Sequence, residues 1–556
     1  MSVSSETTTT ENPSADALAA TIGVRAAAIW QQIERVLTRL GDYLNPILVK
    51  ETRQAIKSSQ FTITFVLVLV ACWVVTIGGV AWFGPGIFYS AAGGAMLFAY
   101  YVILAFPLLV MIPIAAYRSL SAEREDNTYD LLSITTLKPR QIISGKLGSA
   151  MVQMGVYFSA ITPCLAFTYL LRGVDVPTIV LLLLYTFLMS LALAMIGLLL
   201  ATLSRQRMGQ VFLLVVFISA LLYLFGTSLA GAYQLISFSN SWLGDESFWS
   251  GNLCMLTLYA TSFALAFFAA AGMITFASEN RSTPLRICML LQQAAFVGWF
   301  GFLWLGLVPT QFDIMAILAM AIMAGLYWYA MGTLLTAERP ETSQRIQRRL
   351  PSSTLARVFL TWLNPGPASG YMFVVANASA IVVISLLGIA VSEFAGRGGG
   401  RWLGTDELIY LLVIGWGYIV AYLGLGLIVV TALRKIALVT MLGCVLIHFL
   451  LVLAGSGIPM AFQMMSVELR YVDYSYLQIA NPFWSLIHLA NGGMATEGNV
   501  LVIVVPAAAL CMLLLNLPAV VREVQRVRIS PPTRVVEDEA ALHPLPQDRP
   551  KSPWDR

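Results

Sequence analysis

Charge is what this sequence has least of. Asp, Glu, Lys and Arg make up 11% of its 556 residues, against about a quarter in a soluble domain, while 58% are hydrophobic. Such a chain belongs in a bilayer. Histidine numbers three, His448, His488 and His543, and none stands beside a carboxylate pair or a second histidine at ligand spacing. That argues against a histidine-centred metal site or nucleophile, and no metal is expected. The six cysteines, Cys72, Cys164, Cys254, Cys288, Cys444 and Cys511, fall in or beside apolar runs without paired spacing. They suggest small core residues, with neither a disulfide framework nor a zinc site. The opening MSVSSETTTTENPSADALAA lacks the basic and apolar regions of a signal peptide. The nearest approach to a phosphate-cradling loop, IISGKLGS at 142–149, lacks the first glycine of GxxxxGK[ST] and places Leu147 after the lysine, so ATP is not expected to bind there. The apolar runs hold essentially no internal charge. Asp313, Glu393, Asp406 and Glu407 sit at their ends, which argues against a relay driven by an ion gradient.

What is present is a series of uncharged stretches long enough to span hydrocarbon, which takes about 20 apolar residues at helical rise. Twelve spans are expected, at 61–83, 93–117, 147–171, 177–203, 209–231, 253–276, 287–309, 314–336, 371–392, 408–432, 436–456 and 500–520. With both termini cytoplasmic, all 33 Lys and Arg except Arg172, Arg397, Arg401 and Arg470 fall on one side. This is the positive-inside asymmetry of a multi-pass plasma-membrane protein. The net charge of +4 therefore reports a membrane face and no nucleic-acid partner.

The spans suggest a parallel repeat of six plus six. Each set has a long cytoplasmic loop after its second helix and a long external segment before its sixth, 232–252 and 457–499. SAEREDNT (121–128) echoes TAERPETS (336–343) after the second span of each half. A competing echo pairs DYLNP (42–46) with TWLNP (361–365) and would start the second half elsewhere. Ahead of the first span, Ile29, Ile33, Val36, Leu37 and Leu40 recur at helical spacing beside Arg35, Arg39, Lys50, Arg53 and Lys57, a basic amphipathic pattern suited to the interface plane. The ends, 1–20 and 522–556, are too polar to bury a core and are expected to be disordered.

The densest charge lies in SLSAEREDNTYDLLSITTLKPRQIISGKL, 119–147. Ser119 or Ser121 is expected to cap a short helix whose first turn holds Glu123 and Glu125, favourable against the amide dipole. Glu123, Asp126 and Asp130 then share one acidic face, with Thr128 offering a hydroxyl and Arg124 a cation, and Lys138-Pro139-Arg140 ends the helix. Such a helix would offer a docking ridge for another protein, the alternative being an ordinary solvated loop.

Two strings resemble the permease subunits of ABC-2 type exporters. Asn45-Pro46-Ile47-Leu48-Val49-Lys50-Glu51-Thr52-Arg53-Gln54 is similar to the NPxxxKExRQ string before that family's first span. Ser121 to Leu132, with Thr136, Leu137, Ile143, Gly145 and Lys146, is similar to SxERExGTxDLLxxTPLxxxxIxxGK, with Asn127 in place of the usual Gly and Leu137 where a Pro often stands. Within the family the likeness is loosely to permeases grouped with multi-copper enzyme maturation and gliding motility, without fixing copper as substrate. The resemblance implies an interfacial elbow over 21–60 (Asn45, Pro46, Lys50, Glu51, Arg53). It implies a six-helix domain over 61–276 and a coupling helix at 121–132 (Glu123, Arg124, Glu125, Asp126, Thr128, Asp130) seated in a separate P-loop ATPase subunit. ATP and Mg would be bound by that partner, none by this chain, and a second permease chain or a homodimer would complete the assembly. The external segments, the second holding NPFWSLIHLANGG, would cover the exit. Residues 277–521 form either a degenerate second permease half or an added bundle.

A different class of function, a membrane enzyme acting on lipid or glycan at the external face, would use Asp406 with Glu407 or Glu468 with Asp473. It would require such a pair to converge at about 5–10 Å.

Overall fold

The computed structural model describes residues 45–542 apart from 86–90, 126–136, 205–206, 238–243, 277–278, 307–312, 339–343, 349–352, 354–360, 396–403, 467, 470–473, 492–497 and 526–531. Among the described residues there is no strand. Twelve of the described helices are long and apolar enough to cross a membrane. Helices are what lipid permits, because every backbone donor and acceptor must be satisfied without water. The chain is an all-α polytopic membrane protein.

The chain divides into two compact units, Met1–Phe248 and Trp249–Arg556, ahead of the 276/277 boundary that counting spans in sixes suggests. The first unit holds a short helix α1 (Pro46–Ile56) and the spans α2 (Ser59–Phe83), α3 (Gly93–Glu125), α4 (Pro139–Leu170), α5 (Val176–Leu203) and α6 (Arg207–Ser237). Local chemistry sets their starts. The Asn45 side chain accepts from the Ile47 amide at 3.1 Å with Pro46 in the first turn, and Ser58 Oγ accepts from Phe61 N at 3.2 Å to cap α2. Gly93 opens α3 against the carbonyl of Arg172, to which its amide donates at 3.0 Å, and a Cβ there would collide with that oxygen.

α3 is the centre of this unit, with Leu104, Leu108, Leu109 and Leu120 fully buried. Pro107 cannot donate to the helical ladder, and the turn Pro107–Met111 widens to π geometry there. The loosened carbonyl of Leu108 receives the buried Ser190 hydroxyl of α5 at 2.5 Å. α2 buries only Val68 and Cys72, leaving Leu67, Trp73 and Trp82 exposed along a helix apolar on all sides, as a lipid-facing span should be.

α7 (Glu246–Ile274) begins just before the divide. The second unit continues with α8 (Ser282–Gly306), α9 (Asp313–Thr336), α10 (Pro367–Phe394), α11 (Thr405–Leu433), α12 (Met441–Met465), α13 (Pro482–Ala490) and α14 (Asn499–Val524). α11 is central here. One layer of its core joins Trp304, Ile317, Ile389, Leu408, Ile414 and Val505, and a second joins Trp328, Tyr371, Val374, Val420, Leu423 and Ala509.

Two expectations change. The second span does not stop at residue 117 before a new helix capped by Ser119 or Ser121. α3 runs unbroken to Glu125, Ser121 is buried within it, and Ser119 Oγ donates to its own helix at Ala116 O, 2.9 Å. Glu123 and Glu125 thus stand in a last turn, where the dipole is unfavourable to a carboxylate. The segment 232–252, expected as a long external loop, is also shorter than that, since α6 continues to Ser237 and α7 starts at Glu246. Of 457–499, the front belongs to α12. The remainder includes a 3₁₀ turn, Tyr476–Ala480, and α13, secured by Tyr418 Oη donating to Ile479 O at 2.6 Å and Gln478 Nε2 to Gln463 Oε1 at 2.8 Å.

Candidate functional site

The described parts of the two strings that carry the family resemblance meet at one end of the first unit. α1 lies along the start of α4, and glycines set the closeness: a Cβ on Gly145 would fall 2.8 Å from Ile47 Cβ and one on Gly148 2.8 Å from Leu48 Cδ1. Asn45 Nδ2 donates to Gln141 O on the same helix. Pro139 opens α4, and the Gln141 side chain accepts from Lys138 N at 2.9 Å.

Lys146 is the hub of this end. Its side chain is 1% exposed, and Nζ reaches Glu51 Oε1 at 3.0 Å, Glu123 Oε1 at 3.1 Å and Ser119 O at 3.2 Å. An ammonium has three donors and no acceptor, so three acceptors from α1 and α3 suit it, and burying a charge requires such pairing. Glu123 also faces Lys50, 3.7 Å away and largely solvated. These cations offset the dipole penalty of a carboxylate in α3's last turn.

Arg124 turns the other way and closes α5. Its Nη1 donates to Thr202 O at 2.8 Å and lies 3.5 Å from Ala201 O, carbonyls that a helix C-terminus leaves without intrahelical donors. Nearby, Tyr117 Oη donates to Gln210 O at 2.8 Å, tying α3 to α6. Glu125, one residue further on, is exposed.

Of the eleven residues singled out by sequence, Asn45, Glu51, Glu123 and Arg124 are thus held in contacts within the unit. Pro46, Lys50, Arg53 and Glu125 are exposed. Asp126, Thr128 and Asp130 lie outside the described residues.

The second unit has a related cluster that the sequence marked only through its two echoes. Glu338, from TAERPETS, accepts from Arg286 Nη2 at 2.8 Å and from Gly366 N at 2.8 Å, and Ser282 Oγ also donates to it. Arg286 is fully buried and donates further to Trp362 O at 2.5 Å, Ser369 Oγ at 3.2 Å and Gly366 O at 3.2 Å, within and just after TWLNP. In the second unit the Ala-Glu-Arg and Leu-Asn-Pro segments thus converge on one buried cation, Arg286; in the first, Glu123 pairs with the buried Lys146, while Asn45 bonds to Gln141 O earlier on the same helix. The start of α10 is completed by Glu523 of α14, whose carboxylate accepts from Ala368 N at 3.2 Å and Ser369 N at 2.8 Å.

Elsewhere, two residues that the sequence marked satisfy local needs. His448 is fully buried, with Nδ1 2.9 Å from Cys444 O and Nε2 3.3 Å from Thr336 Oγ1. Glu407 accepts from Gly404 N at 3.0 Å at the start of α11, a helix-start role, and Asp473 lies outside the described residues.

No family model matches the chain, and no curated protein or solved structure matches it. The fold defines a class, the multi-pass helical membrane proteins.

Proposed function

We propose that this chain is the permease component of an ATP-driven exporter of the ABC-2 type. In this reading a separate P-loop ATPase grips the chain beyond Glu125, on the cytoplasmic side, and drives the switch between inward and outward access. The observation that carries the reading is the bracing of the α3 end. A helix terminus bearing an outward carboxylate, Glu125, is tied behind by Glu123 to Lys146 and by Arg124 to the last carbonyls of α5. Movement imposed at that terminus would pass to α1, α4 and α5 together, because charge-assisted hydrogen bonds of this kind are short and directional. The chain supplies the moving helices, and the partner supplies ATP, Mg and hydrolysis.

The test is co-expression of the full chain with the P-loop ATPase encoded nearest to it. Co-purification is expected, and Glu125→Lys with Asp126→Lys should abolish it while leaving the melting temperature of the chain unchanged. Retention of the ATPase by this variant with unchanged affinity would overturn the docking role. Failure of any such ATPase to bind the wild-type chain would overturn the exporter reading.

A further inference from the structure

α1 sorts its side chains by charge. At about 100° per residue, Ile47, Leu48 and Glu51 share the side turned toward α4, where Gly145 and Gly148 admit the first two and Lys146 takes the third at 3.0 Å. The carboxylate of α1 is thus directed inward. Lys50, Arg53 and Lys57 fall at i, i+3 and i+7 on the outer side and are exposed, Lys50 still reaching Glu123 at 3.7 Å. Beside them, at the edge of the same side, Val49 and Ile56 are 47% and 39% exposed.

Position gives this face its surroundings. Only Lys57 and Ser58 separate the end of α1 from the start of α2, a membrane span. A helix joined to a membrane span by two residues lies near that span's end, where headgroups stand, and its exposed aliphatic and basic side chains suit that boundary. Helices with this division lie in the interface, and each basic side chain near an anionic membrane surface is worth roughly fivefold in association. Guanidinium and ammonium groups match phosphate oxygens as acceptors.

We infer that the outer face of α1 is a binding site for anionic phospholipid headgroups, with Arg53 and Lys57 holding the phosphates. The site is independent of any ATPase. A protein partner is the competing occupant, and the exposed Val49 and Ile56 next to a bilayer-crossing helix favour lipid.

The full chain, reconstituted in phosphatidylcholine vesicles with trace spin-labelled phosphatidylglycerol or phosphatidylcholine, reports the relative association of the two lipids. A preference for phosphatidylglycerol of about threefold or more is expected at low salt, shrinking as salt is raised. Arg53→Gln with Lys57→Gln should bring it close to parity, and the charge-keeping pair Arg53→Lys with Lys57→Arg should retain it. Parity in the wild type, or an unchanged preference in the glutamine pair, would overturn the assignment. So would loss of a co-purifying protein from the glutamine pair with lipid preference intact.

Discussion

Arg124 and Arg434 make the same tie in opposite directions. In the first unit Arg124, at the end of the second span, donates to Thr202 O at 2.8 Å at the end of the fourth. In the second unit Arg434, following α11, donates to Glu338 O at 2.7 Å and Ala337 O at 2.5 Å, just past the end of α9. One arginine serves each pair of helix ends, yet the donating helix has changed. The buried cations are placed differently, since Lys146 lies near the start of the first unit's third span and Arg286 near the start of the second unit's second span, α8.

Each arginine should therefore be worth a similar amount. Hydrogen bonds to charged groups contribute about 1.5–3 kcal/mol, so Arg124→Gln and Arg434→Gln should each lower the melting temperature by several degrees. The buried thiols Cys72, Cys288 and Cys444 provide the readout, as the temperature at which a thiol-reactive dye gains access. An unshifted transition in both variants would remove these contacts from the stability of their units.

Lys146 is expected to be the most sensitive residue at the candidate site. Lys146→Met leaves Glu51 and Glu123, 12% and 15% exposed, facing each other without their shared cation. Breaking a buried pair in this way costs about 3–5 kcal/mol. Adding Glu51→Gln and Glu123→Gln to Lys146→Met should recover more than half of the loss, measured by the same dye transition. Without that recovery, the cost of Lys146→Met comes from packing.

Gly145 and Gly155 offer a paired comparison on one helix. A Cβ at Gly145 meets Ile47 at 2.8 Å, whereas one at Gly155 meets nothing within 4 Å. Gly155→Ala should be neutral or stabilising by up to about 1 kcal/mol through helix propensity, while Gly145→Ala should destabilise because α1 must move away. Equal effects of the two substitutions would mean that α1 is not held against α4.

Truncation separates the C-terminal tail from the helix before it. Ending the chain after Gln525 should leave the second unit's melting unchanged, whereas ending it after Arg522 removes the Glu523 carboxylate from Ala368 N and Ser369 N. Loss of a helix cap typically costs about 1 kcal/mol. Glu523→Ala in the full chain should reproduce that loss.

The helical class was legible because hydrocarbon thickness imposes a length and composition that local sequence cannot disguise. The charged string around Glu123 stood out for the same reason, as charge where the rest has none. Its geometry was not legible. Ser119 and Ser121 are the residue types that cap helices, yet serine inside a helix can bond back to its own carbonyls, as Ser119 does to Ala116 O at 2.9 Å. What decides between the two is Lys146, which makes a carboxylate acceptable in a last turn and lies beyond the loop. IISGKLGS presented itself as a failed phosphate loop, and its glycine and lysine turned out to serve α1 and Glu123. Arg286 gave no signal at all, because a lone arginine near a span end is ordinary until its partners from 338 and 362–369 are brought together.

The carboxylate that completes the start of α10 comes from a residue 154 positions later in the chain. During synthesis, the amides of Ala368 and Ser369 emerge long before Glu523 exists. They must be served by water or by the insertion machinery until α14 has been made. The second unit therefore cannot reach its final hydrogen bonding in the order in which it is translated, and its closing step waits for α14.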